Sequence, residues 1–350
     1  MTVSFSQFVF ILAEYPSMVF MTILILGVIV VNGWTDAPNS ITACISTRAL
    51  DPEKAVIMAT FLNFLGVFFI TMINAKVAET IFNIADFRGH MGHSIIALCS
   101  SQIAILIWSL IALHLGIPTS ESHALVAGLT GSAIALHQGF SGVNFHEWAK
   151  VLYGMFGSTL MGVLVGFLFA KIIKYHFFYR DRRELNSYFI KGQIAGSASM
   201  AFLHGMQSGQ KFMGVFLLVL TLGTKSTGVY HLEIPVWLML ITSLTLAYGT
   251  SLGGYQIIRS VGVDMVKMEK HEGFASDLGA VVIILFSTIL GLPVSTTHIK
   301  MSSFVGVGLS KRLSNLNWHI VRSIFIAWVL TFPGCGLIGY IITYVLIRIF

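Results

Sequence analysis

The chain has 350 residues, of which 55% are hydrophobic and only 10% charged. Its mean hydropathy is +0.83, far above the balance of a water-soluble domain. The formal net charge of +6 does not point to nucleic acid, because the basic residues gather between apolar blocks, as in a chain oriented in a membrane. Composition thus excludes a soluble core and implies an all-α integral membrane protein in the lipid bilayer.

Apolar stretches near 17–34, 54–74, 94–114, 148–172, 234–252, 274–291 and 319–347 each reach the ~20 residues that a membrane helix needs. The first has no Lys or Arg before it and no small-residue cleavage site soon after it, so it is expected to remain as a span. Cys44, Cys99 and Cys335 lie far apart in apolar surroundings, without metal-ligand spacing, and read as packing residues.

Asp36 closes the first stretch, with Gly33 and Thr35 before it and Pro38 and Asn39 after it. An acid at membrane depth costs roughly 2.5–3.5 kcal/mol by insertion scales, so it marks a functional site. Pro38 cannot continue a helical hydrogen-bond ladder, and a helix broken here leaves backbone carbonyls beside the Asp36 carboxylate and the Asn39 amide. Oxygen ligands of that kind suit sodium or a proton. Thr35, Asp36 and Asn39 are therefore the candidate cation-binding residues, with Asp36 and Asn39 as metal ligands.

Gly116 to His123 reads Gly-Ile-Pro-Thr-Ser-Glu-Ser-His, and Gly291 to His298 reads Gly-Leu-Pro-Val-Ser-Thr-Thr-His. Pro suits a first helical turn, and Ser and Thr are capping residues. Each element is therefore expected to open a helix whose free N–H groups and dipole favour an anion. Ser120, Ser122, Ser295, Thr296 and Thr297 are the candidate hydroxyl donors, and convergence of the two elements would enclose one tetrahedral oxyanion. His123 and His298 are open to ligand, proton-carrier or structural roles, with the structural one favoured.

The two elements lie 175 residues apart. A second pair, Gly33 to Asn39 against Gly205-Met-Gln-Ser-Gly-Gln-Lys211, recurs in the same order at an offset of 172. Two such pairs indicate an internal repeat. Loop 138–147 has no Lys or Arg, whereas its counterpart near 310–318 has Lys311 and Arg312, so equivalent loops face opposite sides. The expectation is two inverted-topology repeats, 1–175 and 191–350. They are joined by a cytoplasmic basic linker, 176–190, in a run holding Lys171, Lys174, Arg180, Arg182, Arg183 and Lys191. Some 10–12 membrane helices are expected, including broken or re-entrant segments, with the N-terminus outside.

These motifs resemble the inorganic phosphate transporter (PiT) family of cation-coupled symporters over nearly the whole chain. Gly33, Asp36 and Asn39 match the first copy of its Gly-x-Asn-Asp-x-x-Asn motif, and His204, Gly205, Lys211 and Gly214 match the bacterial form of the second. Gly291 to His298 matches its Pro-x-Ser-Thr-Thr-His element, and Gly273-Phe274-Ala275 also fits. The resemblance implies an inverted-repeat helical fold, phosphate at the centre, sodium or proton coupling and no further cofactor. Gln207, Ser208 and Lys211 join the substrate-binding set on that basis. Thr35 departs from a family Asn, Gln207 and Ser208 from Asn-Asp, and Glu121 from Thr.

Cation-coupled phosphate uptake across the cytoplasmic membrane of a prokaryote is the resulting expectation. A sulfate or other oxyanion permease and an uncoupled anion channel are the alternatives, and a homo-oligomer is open. No Gly-x-Ser-x-Gly or His-Glu-x-x-His arrangement occurs, so an enzyme is not expected. Glu121, placed opposite an acid-free second motif, is expected as the charge partner of Lys211 across the repeats. Direct anion binding by Lys211, or snorkelling to an interface, is the other outcome.

Overall fold

A computed structural model describes residues 3–71, 75–115, 119–177, 179–180, 182–223, 234–311 and 316–350. Gly116 and Pro118 of the first motif, Lys225, Glu233, Arg312 and linker positions 178 and 181 lie outside these residues. Among the described residues there are isolated β-bridges but no strand, and the chain forms α1 (Phe5–Glu14), α2 (Pro16–Thr35), α3 (Pro38–Ser46), α4 (Pro52–Thr71), α5 (Lys76–Phe82), α6 (Met91–His114) and α7 (Glu121–Leu136). Then come α8 (Phe145–Phe177), α9 (Arg182–Gly223), α10 (Val236–Ser251), α11 (Tyr255–Arg259), α12 (Lys270–Ile289), α13 (Thr296–Lys311) and α14 (Trp318–Ile349).

Proline sets several of these boundaries. Pro16, Pro38 and Pro52 each open a helix at its first position, where the missing N–H costs nothing. Six spans among the described residues are long and apolar enough to cross a membrane: α2 with α3, α4, α6, α8, α12 and α14. The helices α10 and α11, bent by 61° at Leu252–Gly254, make a seventh if counted as one span. These are the seven apolar stretches of the sequence. Their outer faces carry exposed Phe61, Phe69, Phe156, Leu160, Phe286 and Phe325, as lipid contact requires.

The helices α7 and α13 are different in kind. Every residue of α7 from Glu121 to Ala133 is buried, and so is every residue of α13 from Thr296 to Phe304. Other helices surround them, so their polar residues face protein and not lipid.

Helix packing repeats with the halves exchanged. The helix α7 lies along α14 and α13 along α8, α2 packs on α10 and α9 on α4, and α6 touches α2 and α14 where α12 touches α9 and α8. Glycines of the repeated motif make two of these crossings. A Cβ on Gly33 would lie 2.7 Å from the Thr250 amide of α10, and one on Gly205 would lie 2.8 Å from Asn63 Cα of α4. Only glycine allows backbones so close.

The second motif differs from the first in its backbone: the first is broken at Pro38, whereas α9 runs unbroken through Gly205–Lys211, from Arg182 to Gly223. The reason is chemical: no proline occurs there to remove a ladder hydrogen bond, so the equivalent side chains project from a continuous helix.

Candidate functional site

The first half of the site is built at the junction of α2 and α3. Pro38 offers no N–H to Trp34, and the ladder tightens, with the Asn39 amide donating to the Asp36 carbonyl at 3.1 Å and the Ser40 amide to Ala37 at 3.0 Å. Gly254, at φ +50°, lies over this defect, and a Cβ there would collide with the Trp34 carbonyl and the Pro38 ring. The bend after α10 thus closes one side of the break.

The break directs Asp36 at the start of α13. Thr297 donates its hydroxyl to Asp36 Oδ1 at 2.8 Å and accepts from Asn39 Nδ2 at 3.1 Å. Asn32 Nδ2 lies 3.4 Å from Asp36 Oδ2. All four side chains are buried. Oδ1 of Asn32 and Oδ1 of Asn39 have no hydrogen-bond partner among the described residues. Two unsatisfied amide oxygens beside a carboxylate form an oxygen-donor set suited to a small cation.

The second half repeats this arrangement with one decisive substitution. Lys211 occupies the position equivalent to Asn39 and Ser122 that equivalent to Thr297. Lys211 Nζ donates to Ser122 Oγ at 2.7 Å and to the Val294 carbonyl at 2.6 Å. The contact of Asn39 with Thr297 therefore recurs with the halves exchanged, but with an ammonium as donor. Ser208, at the place of Asp36, lies 3.5 Å from His204 Nε2, and His204 Nδ1 bonds Thr296 Oγ1 at 2.9 Å. No carboxylate stands here among the described residues.

The helix starts meet at the centre. Ser120 Oγ accepts from the His123 amide and Ser295 Oγ from the His298 amide, each at 3.2 Å, which makes both serines caps. The His123 and His298 rings are 4.2 Å apart, wedged against Phe332 and Trp328 respectively. Nδ1 of His123 and Nε2 of His298 lack hydrogen-bond partners among the described residues.

Of the residues singled out in the sequence, Thr35, Asp36, Asn39, Ser122, Thr297 and Lys211 are gathered around these helix starts, with Thr296 reached through His204. Gln207 turns aside, its Nε2 donating to Thr288 Oγ1 at 2.7 Å and to the Leu292 carbonyl at 3.3 Å. Glu121 accepts from Thr35 at 3.2 Å, and no ion pair joins it to Lys211. In place of the expected direct pairing, Lys211 bonds Ser122 and Val294 and Glu121 bonds Thr35.

Sequence reasoning missed Asn32 and a second buried cluster. Lys300 of α13 is ion-paired to Asp277 of α12, whose other oxygen accepts from Ser197 at 2.8 Å. The signal was present: Asp277 is an acid within a membrane-spanning helix and Lys300 a base within the buried α13, the criterion already applied to Asp36.

The family model described as "Phosphate transporter family" matches residues 32–339, which take in every residue of the site. The chain is 32% identical over 320 residues to a Bacillus subtilis (strain 168) protein named "Probable low-affinity inorganic phosphate transporter", covering 91% of this chain and 94% of that one. A Rhizobium meliloti (strain 1021) protein of the same name is 31% identical, with 88% and 90% covered. The fold matches a solved structure titled "The sodium-dependent phosphate transporter" with a TM-score of 0.87, 22% identity, and coverage of 96% of this chain and 100% of that one.

Proposed function

The chain belongs to the phosphate transporter family, and on that footing we propose that it is a secondary transporter carrying inorganic phosphate together with a single cation. The observation that carries this reading is the unequal pair of contacts. Asp36, Asn39 and Thr297 supply oxygens for a mobile cation, while Lys211 on Ser122 and Val294 is a tethered cation at the equivalent place.

The anion is held between them. Ser122 and the free N–H groups opening α7 and α13 offer donors, Thr297 borders the site through its bond to Asp36, and Lys211 supplies the positive charge. Ser120 and Ser295 contribute by capping, which aims their helices, and their own O–H groups stay free to donate. The buried His123 and His298 rings, packed on the partly buried Phe332 and Trp328, lower the polarity around these contacts, which strengthens them. Cation entry at Asp36 offsets the carboxylate that would otherwise repel the anion, and this is the source of coupling. The related halves, oppositely oriented as the loop charges suggest, would rock about these helix starts to alternate access, with the N-terminus outside and the 176–190 linker in the cytoplasm.

The test is uptake of labelled phosphate into proteoliposomes with sodium and proton gradients imposed separately. Uptake driven by one gradient, abolished in Asp36→Asn with membrane insertion intact, is the expected result. Uptake indifferent to both gradients would make the protein an uncoupled anion pathway, and preference for sulfate would reassign the substrate.

A further inference from the structure

The pair formed by Lys300 and Asp277 plays no part in the site just described, yet both side chains have no exposed surface. A buried ion pair is retained at a cost in desolvation, and apolar residues of similar volume often do as well for stability. The position equivalent to Lys300 in α7 is the apolar Leu125.

Its place along the helices is informative. On α13, Lys300 lies one turn beyond Thr296 and Thr297. On α9, Ser197 lies two turns from His204, and Gln193 is one turn further in the same direction. Asp277 is one turn beyond Gly273 on α12, and Gly273 packs against Gln193 and Thr47. Thr47, at the end of α3, donates to Gln193 Oε1 at 2.8 Å.

Thr47 also lines a cavity of about 750 Å³ whose wall includes Lys174, Arg180, Lys270, Lys311 and Glu272. Lys311 is bound to Glu272 at 2.7 Å and Lys270 to Asn186 at 3.0 Å, while Lys174 and Arg180 add positive charge that attracts anions. Along four helices, the ion pair thus stands between the central site and a basic vestibule.

We propose that Lys300 and Asp277 form an ion-pair gate on the path between the central anion site and this vestibule, in which the passing oxyanion displaces Asp277 from the Lys300 ammonium. The proposal rests on the reading of the protein as a phosphate transporter. Displaced Asp277 keeps the Ser197 hydroxyl as a partner, so the carboxylate is not stranded. The Phe304 ring, 4.8 Å from Lys300 Nζ, holds the ammonium in place through the exchange. The gate accepts phosphate because a tetrahedral anion presents the ammonium with the same oxygen contact that Asp277 makes.

The decisive variant is Lys300→Met with Asp277→Asn, which leaves no unpaired charge and is therefore able to fold. Equilibrium phosphate binding to the purified protein is expected to stay within about twofold of wild type, as for a distant, independent site. The maximal uptake rate in proteoliposomes is expected to fall about tenfold or more, the factor of one charged contact. Ser197→Ala, which keeps both charges, is the second variant and is expected to slow uptake with binding unchanged. Wild-type rates in both variants would overturn the gate, and so would a loss of binding in step with transport, which marks a merely structural pair. Absence of phosphate uptake by the wild-type protein would remove the functional reading itself and the gate with it.

Discussion

Lys211 is the residue at which the structure revises the electrostatics most, and Lys211→Met is the perturbation that tests the revision. The substitution keeps the stem's bulk but removes two hydrogen bonds, to Ser122 at 2.7 Å and to Val294 at 2.6 Å, and a buried charge. Each bond from a charged group is worth about 1.5–3 kcal/mol. Lys211→Met should therefore destabilise by about 3–5 kcal/mol, against a typical total of roughly 5–15 for a folded domain. Asp36→Asn keeps one acceptor for Thr297 but sets an NH2 against Asn32 Nδ2, at about 1–3 kcal/mol, and the double variant, which removes both buried charges, should recover about 1–3 kcal/mol relative to additivity. Denaturation of the purified protein in detergent measures the cycle, with phosphate uptake as the functional readout. The parallel cycle of Glu121→Gln with Lys211→Met should be near additive, since Glu121 bonds Thr35 instead. Additivity for Asp36 with strong coupling for Glu121 would refute the reasoning and restore the pairing expected from the sequence.

Ser122→Ala and Thr297→Ala each remove a hydroxyl facing a charged group and should raise the half-saturation for phosphate about tenfold or more, whereas Ser120→Ala and Ser295→Ala should mainly cost about 1 kcal/mol of stability through lost capping; titrated uptake and melting separate the two pairs. Because, among the described residues, Ser208 stands at the place equivalent to Asp36 and the second-half motif holds no carboxylate, the uptake rate should depend on the first power of the coupling-cation concentration, and a second-order dependence would contradict the single-cation reading. Gly205→Ala would set a Cβ 2.8 Å from Asn63 Cα on α4, so it should destabilise by about 1–3 kcal/mol as an overpacked contact, seen as a lower detergent melting temperature without a change in half-saturation.

Much of this was legible in the sequence because bilayers and prolines impose strong local rules. Seven apolar stretches became the spans, Pro38 marked the break beside Asp36, and the repeated Pro-x-Ser-x-x-His elements marked the helix starts that carry the centre. The offsets of 172 and 175 residues match Asn39 to Lys211 and Thr297 to Ser122, and the contact of Asn39 with Thr297 has its counterpart in that of Lys211 with Ser122. What the sequence left open was partner choice, which depends on side-chain direction and interhelical distance, and neither has a local signature. Hence Glu121 was matched to Lys211 by charge alone, although its carboxyl turns toward Thr35. Lys300 and Asp277 were visible as charges in apolar helices, yet 23 residues separate them, and only the packing of α12 on α13 brought them together.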